Sequence, residues 1–150
     1  MLHYTDGDLL YCPLDVIVHQ TNCQGVMGAG LAKQIARQYP NIVELDREYC
    51  KSGDVLGTNL YVTTYDKYIV NMYAQRYYGT KRRHTDYNAF RMCLSRLAHK
   101  LQISSPDLRV GFPYGIGCGL AGGDWIVIEK MIKDFAENVM QDVYIVKREE

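Results

Sequence analysis

Two glycine-rich segments of this chain have the composition of anion-binding loops. The first reads Asn22-Cys-Gln-Gly-Val-Met-Gly-Ala-Gly-Leu31, and the second reads Gly115-Ile-Gly-Cys-Gly-Leu-Ala-Gly-Gly-Asp-Trp125. Glycine lets backbone N–H groups approach an anion without obstruction by a Cβ atom, and it tolerates positive φ. Each segment also precedes a predicted helix, whose first N–H groups are unpaired donors at the positive end of the helix dipole. Two such loops facing each other predict a site that holds a diphosphate from both sides.

Other glycine and cysteine motifs offer rival interpretations of these loops. Gly117-x-Gly-x-x-Gly122 matches the dinucleotide fingerprint, and Asp142 follows at the distance expected for a ribose contact, so a nicotinamide-dependent enzyme is an alternative. That motif precedes the last predicted helix, which leaves no room for a second mononucleotide half. The sequence contains no Walker A loop, and neither Cys23 nor Cys118 begins the Cys-x5-Arg loop of a cysteine phosphatase.

The elements that must position these loops alternate between strand and helix. Val16-Ile-Val-His-Gln20 is nearly continuously apolar, as a buried strand requires. The same reasoning predicts strands at 2–5, 16–20, 58–64, 68–73, 109–112 and 142–147. Helices are predicted from Leu31 to Pro40, over 41–51, from an N-cap at Thr85 or Asp86 to Leu101, and from Asp124 to Val139. This alternation predicts an α/β layered sheet.

Composition restricts the class of protein. A chain of 150 residues, 47% hydrophobic and 23% charged, predicts a single globular domain over residues 1–150. Lys+Arg and Asp+Glu both number 17, so we expect no general attraction to nucleic acid or to membranes. The N-terminus carries acid where a signal peptide needs base, and the five cysteines show no CxxC spacing, so a reducing cytoplasm is the expected compartment. The four scattered histidines predict no metal site, and we predict no cofactor.

The chain as a whole resembles the macro domain family, which binds ADP-ribose. The landmarks are Gly7-Asp-Leu9, Val18-His-Gln-Thr-Asn22 and both glycine loops. The stretch from Ile17 to Pro40 is similar to the fungal ADP-ribose-1''-phosphate phosphatase branch. Ile116-Gly-Cys-Gly-Leu120 with Trp125 is similar to the terminal ADP-ribose protein glycohydrolase branch. The resemblance implies a three-layer α/β/α fold around a central mixed, mostly parallel sheet.

The resemblance also implies a ligand-binding set. Asp8 would accept a hydrogen bond from the adenine amino group, the N–H of Leu9 would meet a ring nitrogen, and Asn22 would touch the distal ribose. The alternative for Asp8 is that its carboxylate only ties down the turn. The full expected set is Asp8, Leu9, Gln20, Thr21, Asn22, Met27, Gly28, Ala29, Gly30, Leu31, Pro113, Gly115, Ile116, Gly117, Cys118, Gly119 and Leu120.

At the positions of the catalytic residues, this sequence differs from the glycohydrolase branch of the family. The glycohydrolase branch uses a lysine where this chain has Gln75, and an aspartate where it has Ala121. Glutamine cannot act as an amine nucleophile, and alanine cannot act as a general base. Lys81 has nothing in the sequence to position it. The phosphatase-like branch carries a histidine at the position of His19, which becomes the predicted catalytic residue, able to protonate a leaving oxygen or to activate water.

Two functions therefore remain open, besides the nicotinamide alternative. One is a hydrolase acting at the distal ribose of ADP-ribose-1''-phosphate or of an ADP-ribosylated protein or nucleic acid. The other is a non-catalytic reader of ADP-ribose, which the replacements at Gln75 and Ala121 favour. The basic loop over 75–84 contains two tyrosines, and it is either a solvated loop, a nucleic-acid or poly(ADP-ribose) contact, or a flap over the distal ribose.

Overall fold

The computed structural model describes residues 1–79 and 83–148. Lys81, singled out above, lies outside these residues. The described elements are β1 (Leu2–Asp6), β2 (Val16–Asn22), α1 (Gly30–Gln38), α2 (Asn41–Lys51), β3 (Asn59–Thr63), β4 (Tyr68–Gln75), α3 (Tyr87–Gln102), β5 (Arg109–Pro113), α4 (Trp125–Glu137) and β6 (Asp142–Lys147). Each predicted helix and strand is present, and β2 and β4 extend two residues beyond their predicted ends.

A single mixed sheet forms the centre of the molecule. Its strand order is β1-β6-β5-β2-β4-β3, and every neighbouring pair is parallel except β3 and β4. The β3–β4 hairpin closes at a turn over residues 64–67, where the N–H of Thr64 donates to the carbonyl of Lys67 at 2.9 Å. This order differs from the 3-2-1-4-5-6 order of a dinucleotide-binding sheet. The glycines that match the dinucleotide fingerprint lie between β5 and α4, whereas a dinucleotide-binding fold has them in its first turn between a strand and a helix. The fold therefore does not support the nicotinamide alternative.

Helices cover both faces of the sheet, which gives the predicted three layers. On one face, α3 and α4 pack on the sheet through residues such as Phe90, Ile128 and Phe112. On the other face, Ile35 of α1 and Ile42 of α2 pack against Ile17 of β2. Alternate side chains of a strand point to opposite faces, so β2 contributes to both cores.

Side chains cap two of the described helices, α3 and α4, at their first turn, whereas α1 and α2 begin without a side-chain cap. Asp86 caps α3 by accepting from the N–H of Ala89 at 3.0 Å, and Asp124 caps α4 by accepting from the N–H of Ile126 at 2.9 Å. In contrast, α1 begins after Ala29 with no side-chain cap. None of the helices in the described part of the chain has the length and apolarity needed to span a bilayer.

Candidate functional site

The two glycine loops lie side by side at one edge of the sheet. The first loop follows β2 and the second follows β5, and these strands are parallel neighbours, with Val16 paired to Val110. Between the loops lies a cavity of about 580 Å³, called the larger cavity below. This volume is in the range of small-molecule binding sites. The sheet thus brings together two segments that the sequence could only propose as partners.

The first loop supplies the free end of a helix. Gly30 has a φ of +57° and begins α1, and residues 28–30 are exposed. Within the part of the chain that the structure describes, the N–H groups of residues 28–32 donate to no backbone or side-chain acceptor. Because no side chain caps α1, these donors and the helix dipole remain available to an anion in the cavity.

The second loop works differently from the expectation that both loops open a free helix end. The carboxylate of Asp124 already occupies the N-terminus of α4. Among the described residues, the N–H groups of Gly115, Gly117, Gly119 and Leu120 nevertheless donate to no acceptor. The second loop therefore offers N–H groups from its own turns, without a contribution from the end of α4.

A smaller cavity of about 180 Å³ adjoins the larger one and contains Asp8 and Leu9 in its wall. The two cavities have four lining residues in common, namely Gly30, Leu31, Pro113 and Tyr114. Asp8 Oδ1 accepts a hydrogen bond from the N–H of Leu10 at 3.0 Å, so this carboxylate does tie down its turn. Asp8 is exposed, and its second carboxylate oxygen takes no part in that bond. This oxygen is therefore available to accept a hydrogen bond from a ligand.

Asn22 lines the larger cavity, whereas Asp8 lines only the smaller one. Its side-chain amide holds its own loop, donating to the carbonyl of Val26 at 2.8 Å and accepting from the N–H of Gln24 at 2.9 Å. One amide hydrogen and one oxygen lone pair are left for a ligand. Asn22 thus both shapes the first loop and remains able to contact a sugar.

His19 also borders the larger cavity but is almost fully buried, with 2% of its surface exposed. Its Nε2 lies 2.5 Å from Asn71 Oδ1, whereas its buried Nδ1 has no partner among the described residues. Burial lowers the pKa of His19 to about 4, so the ring is neutral at pH 7. A neutral ring can accept a hydrogen bond, but it is not an imidazolium acid at that pH.

Gln75 and Ala121, where the glycohydrolase branch has lysine and aspartate, both line the larger cavity. The amide of Gln75 accepts from Gln20 Nε2 at 2.8 Å and donates to the carbonyl of Tyr77 at 2.7 Å. Gln20 Nε2 also donates to Thr85 Oγ1, which in turn donates to the carbonyl of Gly117 at 2.6 Å. These bonds form a polar belt that ties β2, β4 and the second loop together.

The larger cavity has no Asp, Glu, Lys or Arg side chain among its described lining residues. In the smaller cavity, the charged lining residues are Asp8 and Arg148. Cys23 lies outside both linings, and burial raises the pKa of its thiol to about 11, which does not suit a nucleophile. Over residues 1–79 and 83–148, no three His, Cys, Asp or Glu side chains form a group that could hold a metal ion.

Most of the residues predicted from the sequence line one of the two cavities. Met27 and Cys118 do not: Met27 is 8% exposed and packs in the core beside Ile35, and Cys118 packs against the opposite core. Besides His19, the lining residues that sequence reasoning did not assign to the binding set are Gly7, Val26, Ala32, Gln34, Gln75, Tyr78, Gly79, Tyr114, Ala121, Val146 and Arg148.

The sequence reasoning also missed the polar residues behind His19. Asp46 lies on the buried face of α2 with 1% of its surface exposed, and Asn71 lies in the middle of β4 and is fully buried. A signal was available for both. Asp46 follows Ile42 at i+4, on the same helix face, and Asn71 interrupts an otherwise apolar strand.

Comparison with known proteins agrees with this geometry. A model of the macro domain family matches residues 18–132 of the chain. The chain belongs to the macro domain family. Its fold also matches a solved structure, the macrodomain of Mycobacterium tuberculosis DarG, with a TM-score of 0.81, 25% sequence identity and coverage of 100% of this chain and 99% of the other.

Two similar sequences place this macro domain among bacterial and phage relatives. The DNA ADP-ribosyl glycohydrolase of Mycobacterium tuberculosis is 31% identical over 137 residues, which cover 88% of this chain and 38% of the relative. This chain therefore corresponds to well under half the length of that enzyme. An uncharacterised 17.5 kDa protein of Enterobacteria phage T4 is 28% identical over 149 residues, covering 93% of this chain and 92% of the phage protein.

Proposed function

We propose that this macro domain binds ADP-ribose and hydrolyses the bond between its distal ribose and a substituent. The observation that carries the proposal is the pair of adjoining cavities: Asp8 lines only the smaller one, Asn22 and His19 line only the larger one, and Gly30, Leu31, Pro113 and Tyr114 line both. This order matches the order of groups in ADP-ribose, in which a diphosphate separates the adenosine from the second ribose.

Each part of the ligand meets suitable chemistry in this arrangement. Asp8 is exposed, and its carboxylate is an acceptor for the amino group at C6 of adenine, where guanine carries a carbonyl oxygen instead. The free N–H groups of residues 28–32 and of Gly115 and Gly117 are donors for the diphosphate oxygens. Neutral donors at a helix end suit an anion even where the cavity wall carries no lysine or arginine.

Hydrolysis is proposed from the position of His19 and from the activity named for the mycobacterial relative. The reaction transfers the hydroxyl of a water molecule to the anomeric carbon of the distal ribose and a proton to the departing group. With a phosphate ester as substrate, the same water attacks phosphorus. A neutral His19 offers one hydrogen-bond acceptor at the reacting end of the ligand, and its lowered pKa makes it a weak base.

A second function, reading ADP-ribose without cleaving it, is favoured by a specific observation. Gln75 and Ala121 line the cavity at the positions where the resemblance implies a lysine and an aspartate, and Gln75 is bonded at both ends of its amide. A protein that only reads ADP-ribose would therefore have the same binding site but would not catalyse hydrolysis.

Two measurements separate these functions. Calorimetry with ADP-ribose tests the site itself: binding weaker than about 100 μM, roughly −5.5 kcal/mol, or a preference for NAD over ADP-ribose, would refute both functions. Turnover is then measured on ADP-ribose-1''-phosphate, ADP-ribosylated DNA and ADP-ribosylated protein.

His19→Asn is the matched test of the reaction, with His99→Asn as its control because His99 is exposed on α3. A hydrolase shows turnover on one substrate that falls at least tenfold in His19→Asn and is unchanged in His99→Asn. Binding by the wild type without turnover on any of the three substrates supports the reader.

A further inference from the structure

A buried chain of hydrogen bonds runs from α2 along the face of the sheet that α2 covers to His19, which lines the larger cavity. It begins at Asp46 on α2, passes through Asn71 of β4 and ends at His19 of β2, which is paired with Asn71 in the sheet register. All three side chains are at least 98% buried, with exposed fractions of 1%, 0% and 2%. The ligand contacts predicted from the sequence do not explain why these three polar side chains are buried in the core.

The carboxylate of Asp46 fixes which way the amide of Asn71 faces. Asp46 Oδ1 accepts from the hydroxyl of Tyr73 at 2.6 Å and from Asn71 Nδ2 at 3.4 Å. Burial raises the pKa of Asp46. Oδ1 is an acceptor in either protonation state, because Tyr73 donates to it and a proton would occupy the other oxygen. Turning the amide around would place Asn71 Oδ1 against this acceptor, so Nδ2 faces Asp46 and Oδ1 faces His19.

The amide of Asn71 in turn fixes the tautomer of His19. Asn71 Oδ1 can only accept, and it lies 2.5 Å from His19 Nε2, so Nε2 must carry the ring hydrogen. A neutral imidazole has one such hydrogen, which leaves Nδ1 as an unprotonated acceptor. Nδ1 is buried and has no partner among the described residues, and His19 is one of the residues that line the larger cavity.

We propose that Asp46 and Asn71 are positioning residues that hold His19 in its Nε2–H form, so that Nδ1 accepts a hydrogen bond from a hydroxyl group at the distal-ribose end of the ligand. The inference rests on the proposed function, because it takes that ligand to be ADP-ribose. It also bears on specificity: a ligand with a hydroxyl donor next to His19 Nδ1 is favoured, and a ligand with a group that can only accept a hydrogen bond there is disfavoured. A buried acceptor without a partner is unfavourable, so the bond to the ligand removes a cost that the free protein carries.

The tautomer is measured directly by long-range ¹H–¹⁵N correlation spectra of the histidine rings in the ¹⁵N-labelled free protein at pH 7. The expected spectrum has a pyrrole-like Nε2 and a pyridine-like Nδ1 for His19, assigned by the loss of its signals in His19→Asn. Addition of ADP-ribose is expected to shift the Nδ1 resonance, as a new hydrogen bond requires. A pyrrole-like Nδ1 in the free protein, or an Nδ1 that is unmoved by bound ADP-ribose, overturns the inference.

The positioning role has its own pair of variants. Asn71→Leu removes the acceptor, so His19 is expected to populate the other tautomer and the affinity for ADP-ribose to fall about threefold to tenfold, the worth of one hydrogen bond. The double variant Asp46→Asn with Asn71→Asp exchanges the two groups and keeps an oxygen facing His19. We expect it to retain the hydrogen on Nε2 of His19.

The double variant also separates positioning from a merely structural role. If Asn71→Leu unfolds, the double variant still tests the inference, because a folded protein in which Nε2 of His19 carries no hydrogen would overturn it. Failure of the proposed function looks different from failure of this inference. Absence of ADP-ribose binding refutes the ligand, whereas the wrong tautomer in a protein that binds ADP-ribose refutes only the role of Asp46 and Asn71.

Discussion

Three glycines of the second loop form a natural series for testing how its shape is held. Gly119 has ordinary φ, and a Cβ there would meet nothing within 4 Å. Gly115 has a φ of +77° and equally open space. Gly117 combines a φ of +76° with close neighbours, since an added Cβ would lie 2.8 Å from Gln20 Oε1 and 3.2 Å from Thr85 Oγ1. Alanine at position 119 therefore adds no strain, and alanine at position 115 adds backbone strain alone. Alanine at position 117 adds both backbone strain and a clash.

The expected losses of stability follow from these differences. Gly119→Ala should be neutral or slightly stabilising, because alanine lowers the entropy of the unfolded chain. Gly115→Ala should cost about 1–2 kcal/mol for its left-handed backbone. At Gly117, the clash cannot be relieved freely, since Gln20 is bonded to Gln75 and Thr85. Disturbing one or two of these hydrogen bonds adds about 1 kcal/mol each, for a total of roughly 2–4 kcal/mol.

Urea denaturation of the three variants beside the wild type measures these free energies. Thermal scans give a second measurement, with roughly 2–4 °C of Tm lost per kcal/mol for a domain of this size. The order of stability should be Gly119→Ala, Gly115→Ala, Gly117→Ala, from most to least stable. A Gly117→Ala protein as stable as Gly115→Ala would show that the polar belt does not hold the loop, and equal stability of all three would refute the backbone argument as well.

Three further predictions concern the site, pH and the thiols. Asp8→Asn keeps an oxygen for the N–H of Leu10 but loses the charge, so calorimetry should show ADP-ribose binding weakened by about 1–3 kcal/mol with little change in Tm, and unchanged affinity would remove Asp8 from the site. The depressed pKa of His19, about 4 in the fold against 6.5 unfolded, means that the unfolded state binds the extra proton between these values. The stability contribution of His19 is therefore full above about pH 6.5 and declines as the pH falls toward 4, by up to about 3 kcal/mol; urea titrations at pH 5 and 7 should show this slope in the wild type, and a slope of equal size in His19→Asn would contradict the assignment. Burial raises the pKa of all five cysteine thiols, so alkylation by iodoacetamide at pH 8 followed by mass spectrometry should be slow in the folded protein and fast in urea, and rapid labelling of the folded protein would show that burial does not suppress the thiolates.

The two glycine loops of the candidate site, and the elements around them, could be predicted from the sequence because the residue patterns that indicate them are local. Glycine loops, helix caps and strand periodicity each depend on residues close together in the chain, and the loops lie where the pattern placed them. Met27 shows the limit of that reasoning. It sits inside a glycine loop in the sequence, but the chain turns its apolar side chain into the core beside Ile35.

The sequence by itself determined the elements, the two glycine loops and the α/β layered class, since backbone propensity and hydrophobic periodicity act over a few residues. Only the tertiary structure decided that β2 and β5 are neighbours, which places the loops on either side of one cavity. It also decided that Asp46, Asn71 and His19 form one buried chain across α2 and two strands. Contacts between residues so far apart in the chain depend on how the sheet is ordered and how a helix packs on it, and no local pattern encodes them.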